Sequence, residues 1–163
     1  MKKTLMILAM GGALTLSAQD LRFGVQGALS LPTSDLSNSA NAGLQLGGHA
    51  NWDFRDGHGL TARADVTVYG QTNSISVNNI AAAVDYTYHF ERTQRGPYVL
   101  AGLSQQNYHT GFPGFSRNDS ALGIDLGAGY DLDRHLGLQA RYTTSSFSGV
   151  TYSALNLGVT YTF

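Results

Sequence analysis

The clearest structural signal in this sequence lies in residues 121–145, which read ALGIDLGAGYDLDRHLGLQARYTTS. Apolar and polar residues alternate along 121–132 and again along 135–145, which is the period of a β-strand with two different faces. Between the two runs stands Asp133-Arg134, a short connection that favours a turn. The stretch therefore predicts a β-hairpin with one uncharged face, formed by Leu122, Ile124, Leu126, Ala128, Tyr130, Leu132, Leu136, Leu138, Ala140 and Tyr142.

The same alternation continues along the whole chain after residue 20. Eight segments show it, and none has the 3.6-residue period of a helix. Long polar connections follow the odd-numbered segments, at 31–42, 70–77, 109–120 and 146–151, whereas most of the others are tight turns. This asymmetry is typical of an outer-membrane barrel, whose short turns face the periplasm. The segments lie near 21–30, 43–54, 58–69, 78–91, 97–108, 121–132, 135–145 and 152–163.

The uncharged face of these segments is compatible with two architectures. A soluble sandwich would bury it against a second sheet, whereas a transmembrane barrel would turn it toward lipid. Aromatic residues near one end of the strands, glycines on the polar face and unprotected terminal strands favour the barrel. We therefore predict an all-β fold, an eight-stranded antiparallel up-and-down transmembrane β-barrel. One segment stays open, because its outward set is either Tyr98, Leu100 and Gly102 or Val99, Ala101 and Leu103.

The N-terminal residues have the composition of a secretory signal peptide. Two lysines precede the apolar stretch 5–16, which is too short to span a bilayer as a helix. We expect cleavage after Ala18, which divides the chain into a signal peptide, residues 1–18, and an outer-membrane β-barrel domain, residues 19–163. Without those lysines, eight arginines stand against eleven acidic residues, so the net charge becomes −3. No basic stripe remains to follow a phosphate backbone, which excludes nucleic acid as a partner.

The polar face contains charged and amide side chains that fall at similar heights along the strands. We predict that two arginines bridge three aspartates in a polar network at the middle of the barrel. Buried charges are tolerated only when they are paired and hydrogen bonded, so this network is expected to plug the lumen. A narrow or gated path for water, ions or small solutes is the alternative. The predicted lumen network consists of Gln26, His49, Arg63, Asp65, Asp85, Asp125, Arg141 and Asn156.

Aromatic residues form two further candidate sites. A belt near the strand ends that the topology makes periplasmic would place amphipathic rings among the lipid headgroups. Around the third long connection, Tyr108, Phe112 and Phe115 either contact an extracellular ligand or fold onto the barrel rim. The predicted belt consists of Phe23, Trp52, Phe54, Tyr86, Tyr88, Phe90, Tyr130 and Tyr161.

The sequence resembles the small OmpA-like and OmpX-like outer-membrane barrels of Gram-negative bacteria. The resemblance covers residues 19–163 and rests on the signal peptide, the eight alternating segments and the ending Tyr161-Thr162-Phe163. The stretch GPYVLAG, residues 96–102, also looks like the opening of the fifth strand in that family. A final aromatic residue on the last strand looks like the signal that the barrel-assembly machinery reads there. The resemblance therefore implies a C-terminal assembly signal formed by Tyr161 and Phe163.

These observations predict a non-enzymatic integral outer-membrane protein with a structural or surface-interaction role. Its expected partners are outer-membrane lipids and lipopolysaccharide, the assembly machinery during insertion, and an extracellular ligand of the long loops. We expect a monomer with both termini periplasmic, without a cofactor or a metal site, because no histidine pair has convincing ligand spacing. Two alternatives remain, a narrow porin-like or OmpW-like channel for small solutes and a lipid-modifying outer-membrane enzyme.

Overall fold

The protein is a closed antiparallel β-barrel of eight strands. This computed structural model describes residues 21–71, 75–91 and 95–163, apart from the side chain of Arg55. The predicted signal peptide, residues 1–18, lies outside the described residues. Short 3₁₀ turns cover Asp35–Asn38 and Arg55–Gly57. The strands are β1 (Leu21–Ser34), β2 (Ala40–Asp53), β3 (His58–Gln71), β4 (Ser76–Glu91), β5 (Arg95–Phe112), β6 (Phe115–Asp131), β7 (Leu136–Phe147) and β8 (Val150–Thr162).

Pairing between the first and last strands closes the barrel. Each strand pairs with its neighbours in sequence, and β1 completes the ring by pairing with β8, where Leu29 lies opposite Leu157. The described strands therefore leave no free sheet edge for unwanted pairing. The predicted eight-stranded up-and-down barrel is confirmed. No helix in the described part of the chain is long and apolar enough to cross a membrane.

The outer surface of the barrel is apolar. Leu46 and Leu122 are 69% and 76% exposed, and the residues on either side of each in sequence turn toward the lumen or the neighbouring strands. Exposing such a side chain to water costs about 25 cal/mol of free energy per Å² of apolar area, whereas contact with lipid avoids that cost. The open orientation of β5 is also settled, because Val99, Ala101 and Leu103 face outward while Tyr98 and Leu100 are buried.

The strands extend beyond the segments predicted from the sequence, which corrects the prediction of long loops. Only Pro113-Gly114 separates β5 from β6, and only Ser148-Gly149 separates β7 from β8. Ser148, Gly149 and Gly114 have φ values of +48°, +83° and +80°, which suit tight hairpin turns. Polar residues on strands that project past the membrane resemble loop residues in sequence. We call the end with these two turns the distal end, and the end with both termini of the described barrel the proximal end.

At the proximal end, Asp133 stabilises the turn between β6 and β7. Its Oδ1 accepts hydrogen bonds from the backbone N–H groups of His135 and Leu136, at 2.7 and 2.8 Å. These two donors favour the ionised carboxylate and lower the pKa of Asp133 below its ordinary value. The contact explains physically why the alternating pattern breaks at Asp133-Arg134.

Candidate functional site

An ion cluster occupies the middle of the lumen. Arg63 on β3 donates from Nε to Asp85 on β4 at 2.7 Å, and its two Nη groups bind Asp65 and Asp125. The side chains of all four residues are at most 3% exposed. Each guanidinium nitrogen donates a charge-assisted hydrogen bond to a carboxylate, which makes this buried charge tolerable. The cluster ties β3, β4 and β6 together across the barrel.

Two glycines make room for the aspartates of this cluster. Gly102 lies opposite Asp85 on the neighbouring strand, and Gly47 lies opposite Asp65. A Cβ atom on Gly102 would lie 2.6 Å from the carbonyl oxygen of Val84 and would overlap the Asp85 carboxylate. In a narrow barrel, small residues accommodate the larger side chains beside them. The glycines therefore determine where the carboxylates can reach Arg63.

A second arginine lies beside the cluster, but its partners differ from those predicted. Arg141 donates to Gln45 at 2.8 Å and to Gln139 at 2.9 Å, and it lies 3.6 Å from Asp65. Arg63 alone therefore bridges the three aspartates. Sequence analysis missed both glutamines, although each occupies an inward position in the alternation of its strand, which was the signal available.

The remaining residues of the predicted lumen network lie at its margins. Gln26 donates to Asp65, and the Asn156 Nδ2 group donates to the carbonyl oxygen of Arg141 at 3.4 Å. His49 lies apart, because its Nε2 atom is 3.2 Å from the hydroxyl of Thr162 near the proximal end. The structure thus brings together the predicted network except for His49.

The cluster contains more negative than positive charge. Even with the neighbouring Arg141 included, two arginines and three aspartates give a formal net charge of 2 − 3 = −1. Thr143 stabilises one carboxylate by donating its hydroxyl to Asp125 at 2.5 Å, whereas Asp85 Oδ1 accepts no hydrogen bond from the described residues. The cluster therefore depends on Arg63 as the one cation that contacts every carboxylate.

On the proximal side of the cluster, the lumen contains a polar cavity of about 50 Å³. An ion pair and a histidine–aspartate hydrogen bond line it, with 2.9 Å between Arg22 Nε and Asp53 Oδ2 and 2.9 Å between His89 Nε2 and Asp131 Oδ2. Across residues 21–71, 75–91 and 95–163, no group of three His, Cys, Asp or Glu residues is arranged to hold a metal ion. The lining of the cavity is mostly polar and lies at the proximal end of the lumen.

On the distal side, the lumen contains a cluster of buried apolar side chains around Leu36, which we call the apolar plug. Leu36 extends from the 3₁₀ turn Asp35–Asn38 into the barrel and is 1% exposed. It belongs to one buried cluster with Tyr69, Val77 and Tyr108. Tyr108 is 4% exposed, so its prediction as a loop contact is wrong; β5 extends past it and turns it inward. Leu36 gave no signal in sequence, because it lies in a Ser- and Asn-rich connection.

Above the apolar plug lies an open cavity of about 410 Å³, which we call the distal cup. Phe112 and Phe115, the other two predicted contact residues, belong to its wall and are 40% and 64% exposed. An ion pair also lines the cup, because Arg117 Nε donates to Asp119 Oδ1 at 2.8 Å. The other lining residues are Leu36, Ser39, Val77, Thr110 and Tyr152.

The residues of the predicted aromatic belt lie at the proximal end. Phe23, Phe90 and Tyr130 are 59%, 58% and 49% exposed on the outside of the barrel. Edge-on ring contacts occur within the belt, as between Tyr88 and Phe90, whose centroids are 5.5 Å apart. This placement suits rings at a headgroup layer, which stays a prediction. The remaining residues are Trp52, Phe54, Tyr86 and Tyr161.

Comparison with known proteins agrees with this architecture. Residues 4–163 match the family described as the outer membrane protein beta-barrel domain. The chain belongs to this family. As an outer-membrane barrel it is located in the bacterial outer membrane, where its apolar outer face contacts lipid. A search among curated proteins finds no match to its sequence.

Solved structures share the fold of this outer-membrane barrel. Neisserial surface protein A is 21% identical with a TM-score of 0.57, covering 88% of this chain and 97% of that one. Ail, the attachment invasion locus protein of Yersinia pestis, is 17% identical with a TM-score of 0.55 and the same coverages. The N-terminal barrel of Pseudomonas aeruginosa OprF is 19% identical with a TM-score of 0.56, covering 89% and 98%. At these identities the likeness establishes the fold alone.

Proposed function

We propose that this outer-membrane barrel is a non-conducting protein with a structural and surface-interaction role. The observation that carries the proposal is the ion cluster, in which Arg63 holds three aspartates across the lumen with side chains at most 3% exposed. An eight-stranded barrel is just wide enough to be filled by side chains. The apolar plug around Leu36 adds a second barrier on the distal side. An ion crossing the barrel would have to disrupt both.

Conductance in a planar bilayer tests this proposal. We expect the folded wild-type barrel to give no current above leak, because neither barrier leaves a hydrated path. The comparison variant combines Leu36→Ala with Arg63→Ala, Asp85→Ala and Asp125→Ala, and it is expected to pass ions. Insertion is verified beforehand by the gel mobility of the folded form. Discrete current steps from the folded wild type would overturn the proposal in favour of a narrow channel.

We further propose that the distal end is extracellular and that both termini are periplasmic. An even number of strands returns the two ends of the barrel to one side, and the long polar extensions of the strands lie at the other end, which suits the extracellular side of an outer-membrane barrel. The projecting β5–β6 hairpin would then be presented outside the cell. A closed sheet without free edges supports a monomer, surrounded by outer-membrane lipids and lipopolysaccharide.

The geometry gives little support to a lipid-modifying enzyme. Acyl-transfer chemistry by the serine–histidine route needs a histidine that a third group orients toward a nucleophile. His109 on β5 points outward, with its Nδ1 2.6 Å from Asn118 Oδ1, whereas Asp119 points into the barrel and pairs with Arg117. This separation of the histidine from the carboxylate supports a non-enzymatic role.

We propose that Phe163 is part of the signal read by the barrel-assembly machinery. Its side chain is 68% exposed, while its backbone N–H donates to the carbonyl oxygen of Phe23 at 2.8 Å. Phe163→Ser removes no buried contact, so refolding into lipid vesicles should be nearly unchanged. In expressing cells, we expect the fraction of folded barrel in the outer membrane to fall several-fold, as measured by heat-modifiable gel mobility.

Phe90→Ser is the matched control for that variant, because Phe90 is 58% exposed at the same proximal end. It should assemble normally in cells. Equal assembly of the Phe163→Ser and Phe90→Ser variants would show that the terminal residue has no special role.

A further inference from the structure

The β5–β6 hairpin reverses its polarity toward the distal turn. Nearer the middle of the barrel, its outward positions are apolar, as at Leu103 and Leu122, which are 68% and 76% exposed. Close to the turn, polar residues such as Asn118 take the outward positions, while Phe112 and Phe115 line the distal cup. A hairpin surrounded by water is expected to turn its apolar side inward. The distal cup is thus an apolar-walled cavity within a water-exposed part of the protein.

The base of the distal cup is sealed. Leu36 and Val77 form it, and they are 1% and 2% exposed. Tyr108 packs in the same buried cluster, and its ring lies 4.7 Å from that of Tyr152 in the wall of the cup. A molecule that enters the cup therefore meets a packed apolar floor and remains near the rim. The volume of about 410 Å³ falls within the size range of small-molecule sites, roughly 300–1,000 Å³.

Among the residues that the structure describes, Arg117 is the one cation that lines this cup. The Arg117 side chain is 50% exposed, and its Cζ atom lies 5.5 Å from the ring centroid of Phe147, a cation–π contact. Among the described residues, the guanidinium makes one hydrogen bond, from Nε to Asp119. Its Nη groups therefore keep donors for another acceptor. Asp119 is 4% exposed and pairs with Arg117. This pairing reduces the repulsion that the Asp119 carboxylate would exert on an anion in the cup.

We propose that the distal cup binds a small organic carboxylate with an apolar body. The carboxylate oxygens would accept hydrogen bonds from Arg117, because a guanidinium fork matches a carboxylate in geometry and charge. The apolar body would contact Phe112, Phe115 and Tyr152. This inference rests on the proposed surface-interaction function and deepens it, since the sealed base makes the cup a binding site reached from outside.

The charge of the distal segments favours a single carboxylate over a polyanion. Residues 31–42, 69–77, 105–120 and 145–154 contain one arginine, Arg117, no lysine and two aspartates, Asp35 and Asp119. A sulfated polysaccharide or a phosphate-rich surface needs several cations for useful affinity, which this end lacks. A monocarboxylate needs one cation and gains the rest of its affinity from apolar contact.

Titration of the barrel with 4-phenylbutyrate tests the inference. The ¹⁵N-labelled protein, in nanodiscs of zwitterionic phospholipid, is followed by backbone amide shifts. We expect saturable shifts at residues 110–119 and near Leu36, and weaker binding of the neutral analogue 4-phenylbutanol. Arg117→Gln should weaken the binding of 4-phenylbutyrate at least tenfold and leave that of the alcohol unchanged. Octanoate in a parallel titration distinguishes an aryl acid from a short fatty acid as the preferred class.

Matched variants separate binding in the cup from other effects. Ser116→Ala changes the outer face of the same hairpin, and Arg134→Gln removes the same charge at the proximal end; both should bind as the wild type does. Phe115→Ser, at an exposed position, should weaken the binding of both the acid and the alcohol.

The inference would be overturned by shifts that do not saturate, by shifts spread over lipid-facing strands, or by equal affinities of Arg117→Gln and Ser116→Ala. If the barrel does not conduct and does not bind 4-phenylbutyrate, only the inference about the cup is refuted. If the barrel lets 4-phenylbutyrate pass into proteoliposomes, the proposed non-conducting function is refuted.

Discussion

Arg63→Ala is expected to lower the free energy of unfolding of the barrel by about 3–5 kcal/mol, the cost typical of removing one partner from a buried ion pair. The variant leaves Asp65, Asp85 and Asp125 without the cation that contacts all three. Arg141 cannot replace it, because it lies 3.6 Å from Asp65 and donates to two glutamines. Reversible denaturant unfolding in lipid vesicles, followed by tryptophan fluorescence and gel mobility, measures the loss.

Two further variants decide whether charge imbalance causes that loss. Arg134→Ala removes an exposed arginine from the proximal turn between β6 and β7, so it should cost less than about 1 kcal/mol. Arg63→Met with Asp85→Asn and Asp125→Asn leaves Asp65 and Arg141 as a neutral pair and should recover most of the stability, even where Arg63→Ala alone fails to fold. Equal stability of Arg63→Ala and Arg134→Ala, or no recovery in the triple variant, would contradict the role assigned to the cluster.

The strand count, the lipid-facing surface and the inward position of the cluster follow from a period of two, which is a local property of sequence. Leu122 is at an even-numbered and Asp125 at an odd-numbered position of the same strand. Because side chains alternate with a period of two, one faces lipid and the other the lumen. The partners of each charge are a different matter. They depend on the stagger between strands and on the glycines across each pair, such as Gly102 beside Asp85, and no local pattern encodes that stagger.

The distal end was predicted less well, for a related reason. Beyond the membrane, β5 and β6 exchange their apolar and polar faces, so that their alternation no longer matches that of the lipid-facing part. Phe112 was therefore assigned to a loop, and Tyr108, at the end of the predicted segment 97–108, to a loop contact, although both lie within β5. The Pro113-Gly114 and Ser148-Gly149 turns were the available signals for hairpins, since each pair contains a residue suited to positive φ. The insertion of Leu36 is a tertiary contact without any periodic signature.

Gly129→Val should destabilise the barrel by about 1–3 kcal/mol, the usual cost of overpacking a filled interior. Tyr98 lies directly across from Gly129 on β5, and its ring covers the glycine. A Cβ atom at this position would overlap the Tyr98 ring and lie 2.6 Å from the carbonyl oxygen of Leu138. Moving the ring would also weaken the 3.0 Å hydrogen bond from Gln139 to the Tyr98 hydroxyl. Denaturant unfolding in lipid vesicles gives the change in stability.

Gly48→Val is the matched control, because a Cβ atom on Gly48 meets only the carbonyl oxygen of Gly24, at 3.7 Å. There a β-branched residue suits a strand and removes the entropic cost of glycine, so stability should be unchanged or higher. In a Tyr98→Ala background, Gly129→Val should cost less than in the wild type, and the difference measures the coupling between the two positions. An equal cost in both backgrounds would mean that the backbone, rather than the Tyr98 ring, excludes a side chain from position 129. The spacing of the strands alone would then determine the shape of the lumen at position 129.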